Sequence, residues 1–333
     1  MDRAEERRAF LAQVATKYYD QDKTQQEIAD EMGLTRSAVS RLLTEARTKG
    51  VVEIIVHDPR RTSPELEQAL RERFHLKAVR VLVRGHKSYR DMLVDVGVLA
   101  AEYLTGIIKP TDVIGISWGT GLHEMLAALR PMNYPGIEVV QLVGGTGSEP
   151  SSTVGPLLAP RLADILGGRC RYLHAPLIVE SEVARDALLQ ERSVRETLSR
   201  GAEANIALVG IGSTQADIYN PYRLGYVSDE ELAEIQAAGA IGLVCGRHYN
   251  IAGQVLDISI NHRVVGIDLT ALAAVDKIIG VAGGTEKGEA ILGALLGRHV
   301  NVLFTDETAA RRVLELHRAG AHSIMTASAA SPG

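Results

Sequence analysis

Three short glycine-rich turns carry the residues of this chain best suited to chemistry. Ser117-Trp118-Gly119-Thr120-Gly121, Gly144-Gly145-Thr146-Gly147-Ser148 and Gly283-Gly284-Thr285-Glu286-Lys287 each follow an apolar run and precede a helical one. Glycine lets backbone N–H groups approach an anion, and the helix N-terminus that follows adds a favourable dipole. Lys287 adds a point charge beside the third turn. The pattern suits the holding of a phosphate or of sugar hydroxyls, with Trp118 as a pocket wall or as core packing. A glycine turn also closes many α/β units for structural reasons alone. The argument therefore rests on three such turns converging at the carboxyl edge of one sheet.

A second constellation lies near the N-terminus. Thr24-Gln25-Gln26-Glu27 forms a capping box that starts one helix, Gly33 ends it, and another helix begins after Thr35. Ile28, Ala29, Met32, Leu34, Val39, Leu42 and Leu43 make the buried set of a helix-turn-helix. On the opposite face of the later helix stand Arg36, Ser37, Ser40, Arg41, Thr44 and Arg47. Four cations, counting Lys49, against Glu45 leave about +3 there, the local charge that phosphate contact needs. Short hydroxyls interleaved with guanidinium groups suit a major groove. The expected DNA contacts are Thr24, Gln25, Thr35, Arg36, Ser37, Ser40, Arg41 and Thr44. The bland alternative is a solvated helix-turn-helix in a protein-binding module.

Other chemistries lack their residues. Gly210-Ile211-Gly212 has no third glycine at the required place and no GxxxxGK[ST] loop occurs, which argues against a dinucleotide or a nucleoside triphosphate. The ten histidines form no HExxH or other ligand pair, and Cys170 and Cys245 stand alone, so no metal, cofactor or disulfide is expected. A net charge of −5 confines nucleic-acid contact to a local patch. The start MDRAEERRAF is charged, and no run approaches about eighteen apolar residues, so a soluble cytoplasmic protein is expected.

These residues need two platforms, and 333 residues that are 46% apolar can build a large domain and a small module. Leu11, Val14, Ala15, Tyr18 and Tyr19 share one face of a first helix. With the two helices above and a strand over Val51–Val56, they predict a winged helix-turn-helix over residues 1–57. Residues 58–64, polar with two prolines, read as a linker. From 65 to 320, strand-like runs at 79–83, 113–117, 137–143, 170–174, 206–211, 264–269, 278–281 and 300–305 alternate with helical ones. The helical runs fall near 88–108, 121–130, 154–167, 180–199, 228–238, 287–297 and 307–318. That alternation predicts an α/β fold with a doubly wound, mostly parallel sheet. Residues 321–333 read as a disordered tail. Ile114–Glu124 aligns without gaps to Ile279–Glu289, either by shared ancestry or as two similar strand-to-helix turns. One short reading helix spans few base pairs, so a homo-oligomer is expected.

With both halves in view, the chain resembles the SorC/DeoR-type sugar-responsive transcription regulators over nearly its full length. The resemblance rests on Tyr18-Tyr19, Thr24-Gln-Gln-Glu-Ile-Ala29, Ser37-Ala-Val-Ser-Arg-Leu-Leu43, Gly115-Ile-Ser-Trp-Gly-Thr120, Leu142-Val-Gly-Gly145 and Ala282-Gly-Gly-Thr-Glu-Lys287, continuing to Asn301–Ala309. It implies an effector domain like the ribose-5-phosphate isomerases and glucosamine-6-phosphate deaminases, used for sensing. It further implies a repressor of carbohydrate genes controlled by a sugar or sugar phosphate, and a dimer or tetramer. By carry-over, the turns at 117–121 and 144–148 hold the effector and Lys287 attracts it. Gly246-Arg247 and Asp257 occupy the region of the family's Gly-Asp-x-x-Gly-Arg and a later acid, with Leu243 in place of the aspartate. That exchange removes the hydroxyl recognition the aspartate gives. The alternative reading is a sugar-phosphate isomerase or deaminase-like enzyme carrying a DNA-binding module, for which Asp217, Asp257 and Lys287 could be proposed.

Overall fold

The computed structural model describes residues 3–52, 61–145 and 158–329. The wing strand expected over 53–56 and the glycine-turn residues Thr146, Gly147 and Ser148 lie outside them. The chain divides into two compact units, Met1–Pro59 and Arg60–Gly333.

The first unit is built on α1 (Arg3–Tyr19), α2 (Gln25–Met32) and α3 (Arg36–Thr48). Helix α2 starts on a capping box, in which the Thr24 hydroxyl accepts from the Glu27 N–H at 3.3 Å and the Glu27 carboxylate accepts from the Thr24 N–H at 2.8 Å. Thr35 caps α3 by accepting from the Ala38 N–H at 3.2 Å. Leu11, Val14, Ile28, Ala29, Val39, Leu42, Leu43 and Ala46 fill one core, with Met32 and Leu34 half-buried at its edge. Val51 and Val52 pack on that core without entering a strand.

The second unit opens with α4 (Pro64–Phe74), which the sequence reading missed. Pro64 looks like a breaker but sits in the first helical turn, where no N–H is needed. Thr62 bridges Leu82, and the Ser63 N–H donates to the Val81 carbonyl at 2.9 Å. Residues 61–64 thus pack with the second unit instead of serving as linker. Then follow β1 (Ala78–Leu82), α5 (Tyr89–Ile107), β2 (Val113–Ile116), α6 (Thr120–Ala128), β3 (Glu138–Gln141), α7 (Leu158–Leu166), β4 (Arg169–Arg171), α8 (Glu182–Gln190), α9 (Arg192–Ala202) and β5 (Ile206–Gly210). After them come β6 (Gly212–Ser213), α10 (Asn220–Arg223), α11 (Asp229–Ala237), β7 (Gly242–Val244), β8 (Arg247–Tyr249), α12 (Ser259–Arg263) and α13 (Leu269–Leu272). The unit closes with β9 (Lys277–Val281), α14 (Gly288–Leu296), β10 (Val302–Asp306) and α15 (Glu307–Ala329).

Seven strands form a parallel sheet in the order β1-β10-β9-β5-β2-β3-β4. Strands β2 and β10 are buried throughout and β5 and β9 at all but one residue, which is why they read as unbroken apolar runs. The chain winds outward from β2 through β3 to β4, then returns to β5 and winds the other way through β9 to β10. The order therefore reverses between β2 and β5, and a ligand crevice belongs at the carboxyl ends of those strands.

Three readings change. Residues 264–269 are not a sheet strand: Val264 and Gly266 make single bridges to Ile178 and Val143, and the run is apolar because it fills the core. The helix expected over 180–199 is two, broken where Glu191 is extended. Helix α15 continues to Ala329, into the stretch whose composition reads as a disordered tail. Among the described residues no helix is long and apolar enough to cross a membrane, and no group of three His, Cys, Asp or Glu could hold a metal ion.

Candidate functional site

The carboxyl ends of β2, β5 and β9 open onto a cleft of about 550 Å³. Its walls are residues 117–121 after β2, 210–212 after β5, and Val281, Ala282 and Lys287 after β9. Tyr89 and Leu93 of α5, Asn220 of α10, and Leu243, Cys245 and Gly246 complete it. Two glycines permit this convergence. A Cβ on Gly121 would fall 2.6 Å from the Val281 carbonyl oxygen, and one on Gly210 2.6 Å from that of Trp118. No side chain caps α6, so the N–H groups of its first turn carry no side-chain acceptor at the wall formed by Thr120 and Gly121.

The outer wall comes from the three-stranded antiparallel sheet β6-β7-β8, which periodicity did not reveal because its strands hold two or three residues each. Strands β7 and β8 join through Cys245 and Gly246, with φ of 50° and 77°. Two left-handed residues in a two-residue loop make a hairpin turn whose twist matches its strands. Cys245 accepts an unfavourable backbone region at the cleft. Burial pushes its thiol up to about 12, so it is no nucleophile at neutral pH.

Lys287 is the charged residue of the lining. Its Nζ donates to the Ile211 carbonyl at 3.1 Å. The residue as a whole keeps some exposure, but its amino group lies deep in the cleft, and burial pulls its pKa down to about 8. Among the described residues no carboxylate lines the cleft to balance it.

In the first unit, Arg36, Ser37, Ser40, Arg41, Thr44 and Arg47 are all exposed on one side of α3. Arg36, Arg41 and Arg47 have no ion-pair partner among the described residues. Glu45 instead engages Arg7 and Lys49, at 2.5 and 2.8 Å. The Thr24 and Thr35 hydroxyls serve the caps, while Thr24, Gln25 and Arg36 line a groove with Tyr18, Tyr19 and Lys23. A convex cationic face beside a groove at the start of α2 fits a major groove and its flanking phosphates.

Comparison with known proteins gives this geometry its context. The Sugar-bind family, a sugar-binding domain, matches residues 59–315, and region 4 of sigma-70 matches residues 12–49. The "Deoxyribonucleoside regulator" of Bacillus subtilis is 32% identical over 94% of this chain and 99% of its own length. The "Sorbitol operon regulator" of Klebsiella pneumoniae is 30% identical over 92% and 98%. The crystal structure of the full-length SorC regulator from that organism superposes with a TM-score of 0.69 at 28% identity, covering 92% of this chain and 99% of that one. The chain belongs to the SorC/DeoR-type sugar-binding transcriptional regulators. It is a sugar-responsive DNA-binding regulator.

The regulator brings some of the expected effector residues together and leaves others apart. Ser117, Trp118, Gly119, Thr120, Gly121 and Lys287 share the cleft. The N–H groups of Gly144 and Gly145 are engaged by the carbonyls of Val265 and Ala175, each at 2.9 Å, and are not free for an anion. Gly283 and Gly284 are buried behind the wall. The Gly284 N–H donates to Asp306 at 2.6 Å, and its Cα surface seats the Tyr89 ring. Thr285 is exposed outside the lining. Arg247 is buried behind the hairpin with its guanidinium donating to the Asn261 carbonyl. Burial lowers its pKa, against the pull of Asp268. Asp257 is exposed on the surface, 2.5 Å from His262, and is no part of the cleft. The sequence reading missed Tyr89, Leu93, Asn220 and Gly210–Gly212. Of these only Gly210-Ile211-Gly212 offered a signal, since it too ends an apolar strand on glycine.

Proposed function

We propose that the regulator senses a sugar phosphate in this cleft, with the phosphate held by Lys287 and the first turn of α6. Occupancy changes the affinity of the α3 face for operator DNA. The observation that carries the reading is Lys287 itself: a desolvated ammonium in a cleft without a counter-ion is an uncompensated charge, and an anionic ligand compensates it. The relatives named for sorbitol and deoxyribonucleosides support a carbohydrate-derived effector.

The cleft is a sensor and not a site of turnover. Its lining holds no carboxylate or histidine among the described residues, and the named relatives are regulators. The protein acts in the cytoplasm as a homodimer or homotetramer, because one short reading helix gives too few base contacts for useful specificity. Calorimetric titration of sugar phosphates against their unphosphorylated parents tests the site. Only the phosphates bind, and Lys287→Met abolishes that preference; equal binding of phosphorylated and free sugars would refute the assignment. A turnover assay on the same compounds separates sensing from catalysis, and sedimentation showing a monomer with and without operator would refute the oligomer.

A further inference from the structure

We infer that Arg41 reads a guanine in each operator half-site, while Arg36 and Arg47 hold the phosphates beside it. This rests on the reading of α3 as the DNA-reading helix. Val39, Leu42, Leu43 and Ala46 bury one side of α3. At 3.6 residues per turn, the line directly opposite that side runs between Ser37 and Thr48, with Arg41 and Thr44 each about 30° from it. Arg36 and Arg47 lie about 90–110° from the line, together on one flank. Glu45, on the other flank, is taken by Arg7 and Lys49. A convex helix enters the major groove by its outermost line, and its flanks meet the backbone. Arg41 is the long side chain on that line, set among Ser37, Thr44 and Thr48, so its exposed guanidinium reaches deepest.

The hydroxyls around Arg41 are committed within the helix. Thr44 donates to the Ser40 carbonyl at 3.1 Å, Thr48 donates to the Thr44 carbonyl at 2.9 Å, and Ser37 shares a hydrogen bond with the Thr35 hydroxyl at 3.1 Å. Arg41 spends its Nε on the Ser37 carbonyl at 3.4 Å. That bond turns the guanidinium toward the N-terminal end of α3, where base contacts are made, and leaves its two terminal amino groups for a ligand. The outermost line thus presents a paired donor. Guanine is the base whose major-groove edge offers two adjacent acceptors, O6 and N7. Adenine sets a donor beside its acceptor, thymine a methyl group, and cytosine presents a donor. Arg36 borders the groove lined by Tyr18, Tyr19, Thr24 and Gln25, and a guanidinium on that flank faces the phosphates.

The test uses the full-length protein and a pool of DNA duplexes with a randomised core. Sequences selected by the parent should carry a fixed guanine in each half-site. Replacing it with adenine should weaken parental binding roughly ten- to a hundredfold. 7-Deazaguanine, which lacks N7, should also weaken it, whereas inosine, which keeps O6 and N7, should not. Arg41→Ala should lose a similar factor on the selected sequence, bind the guanine and adenine duplexes alike, and keep the salt slope. Arg36→Ala and Arg47→Ala should keep the guanine preference and each lower the salt slope by about one unit. An Arg41→Ala protein that still prefers guanine, or that lowers the salt slope instead, overturns the inference and leaves α3 as the reading helix. So does a guanine preference lost with Arg36, or a selection without a fixed guanine. All three variants binding as the parent does would remove the reading-helix assignment itself. The three side chains are exposed, so their truncation should leave the fold intact, which unfolding curves check.

Discussion

On α3, the guanidinium groups of Arg36, Arg41 and Arg47 stand in water on a convex face without ion-pair partners among the described residues. In the cleft, a single ammonium is buried, with the Ile211 backbone carbonyl as its acceptor. On the reading of α3 as the DNA-reading helix, the exposed arginines lose little solvation until DNA arrives, and the affinity they give comes from released counterions. The cleft lysine has already lost much of its solvation, so its charge state is easily moved and a matching anion recovers that cost. Operator binding should therefore follow salt, and effector binding should follow pH.

The largest effect tests how far desolvation goes on the cleft side. His248, in the middle of β8, is fully buried between the Tyr219 hydroxyl, 2.6 Å from Nε2, and the Asn261 side-chain oxygen, 3.0 Å from Nδ1. Burial pulls its pKa down to about 4, with Arg247 adding to the shift and Asn261 opposing it. The unfolded imidazole titrates near 6.5, so in the interval below that value the unfolded chain binds a proton that the folded one does not. The second unit should lose about 3 kcal/mol of stability as pH falls from about 6.5 to 4. Glu31 and Glu45, held near 2 by their lysine and arginine partners, lose their contribution only below the ordinary glutamate range. Denaturant unfolding at pH 7 and 4.5 reads the difference. A parent that loses no more stability than His248→Gln over that interval would show the shift to be wrong.

Next comes Lys287→Met, which keeps the aliphatic stem and removes the charge. Sugar-phosphate affinity should fall roughly a hundredfold, about 2.7 kcal/mol. The empty protein should gain stability near pH 7, because the desolvated ammonium is gone. Operator binding should survive, and the response to effector should not. A variant that is less stable when empty and still answers to effector would erase the contrast drawn above. Arg36→Ala and Arg41→Ala should act on the other surface alone, weakening operator binding by roughly 1–3 kcal/mol where a base is contacted. Where a phosphate is contacted, they should mainly reduce the salt slope by about one unit. Gel-shift titrations at several salt concentrations, with effector binding as control, check this. Parental operator affinity in both variants would remove the reading-helix assignment.

How much of this was legible varies with the physics. The helix-turn-helix could be read closely because its signals are local: the Thr24–Glu27 box, the cap at Thr35 and a seven-residue apolar set all act within a few turns of chain. The parallel sheet was legible for a related reason, since strands buried on both faces leave apolar runs. The cleft was only half legible. Ser117–Gly121 and Lys287 could be named because a strand-to-helix turn has a sequence signature. Tyr89, Leu93 and Asn220 reach the site only through the packing of α5 and α10, which no local pattern encodes. Gly144 and Gly145 misled because a glycine turn looks the same whether its N–H groups face a ligand or, as here, the carbonyls of Val265 and Ala175. Asp257 was carried over by position, and position along the chain does not fix which side of a hairpin a carboxylate reaches.

The smallest expected effect is also the sharpest test of the comparison, because it runs both surfaces through one set of conditions. With the Lys287 amino group titrating near 8 in the empty cleft, about nine-tenths of it is charged at pH 7 and about one-tenth at pH 9. A bound phosphate favours the ammonium and raises that pKa, so binding takes up a proton wherever the free lysine lacks one. Effector affinity should fall about tenfold, about 1.4 kcal/mol, between pH 7 and 9, an interval in which a phosphate monoester, with its second pKa at about 6, stays a dianion and only the lysine titrates. Operator affinity should change little over the same interval, since arginine keeps its charge throughout. Raising salt at pH 7 should do the reverse, costing operator binding far more than effector binding, because a desolvated pair is screened less than an exposed one. Calorimetry in buffers of different ionisation heat measures the proton directly: about half a proton should enter per effector bound at pH 8, and none in Lys287→Met. A pH-independent effector affinity would mean that the lysine is more hydrated than its burial in the cleft implies, and the two surfaces would then differ in shape but not in how they use charge.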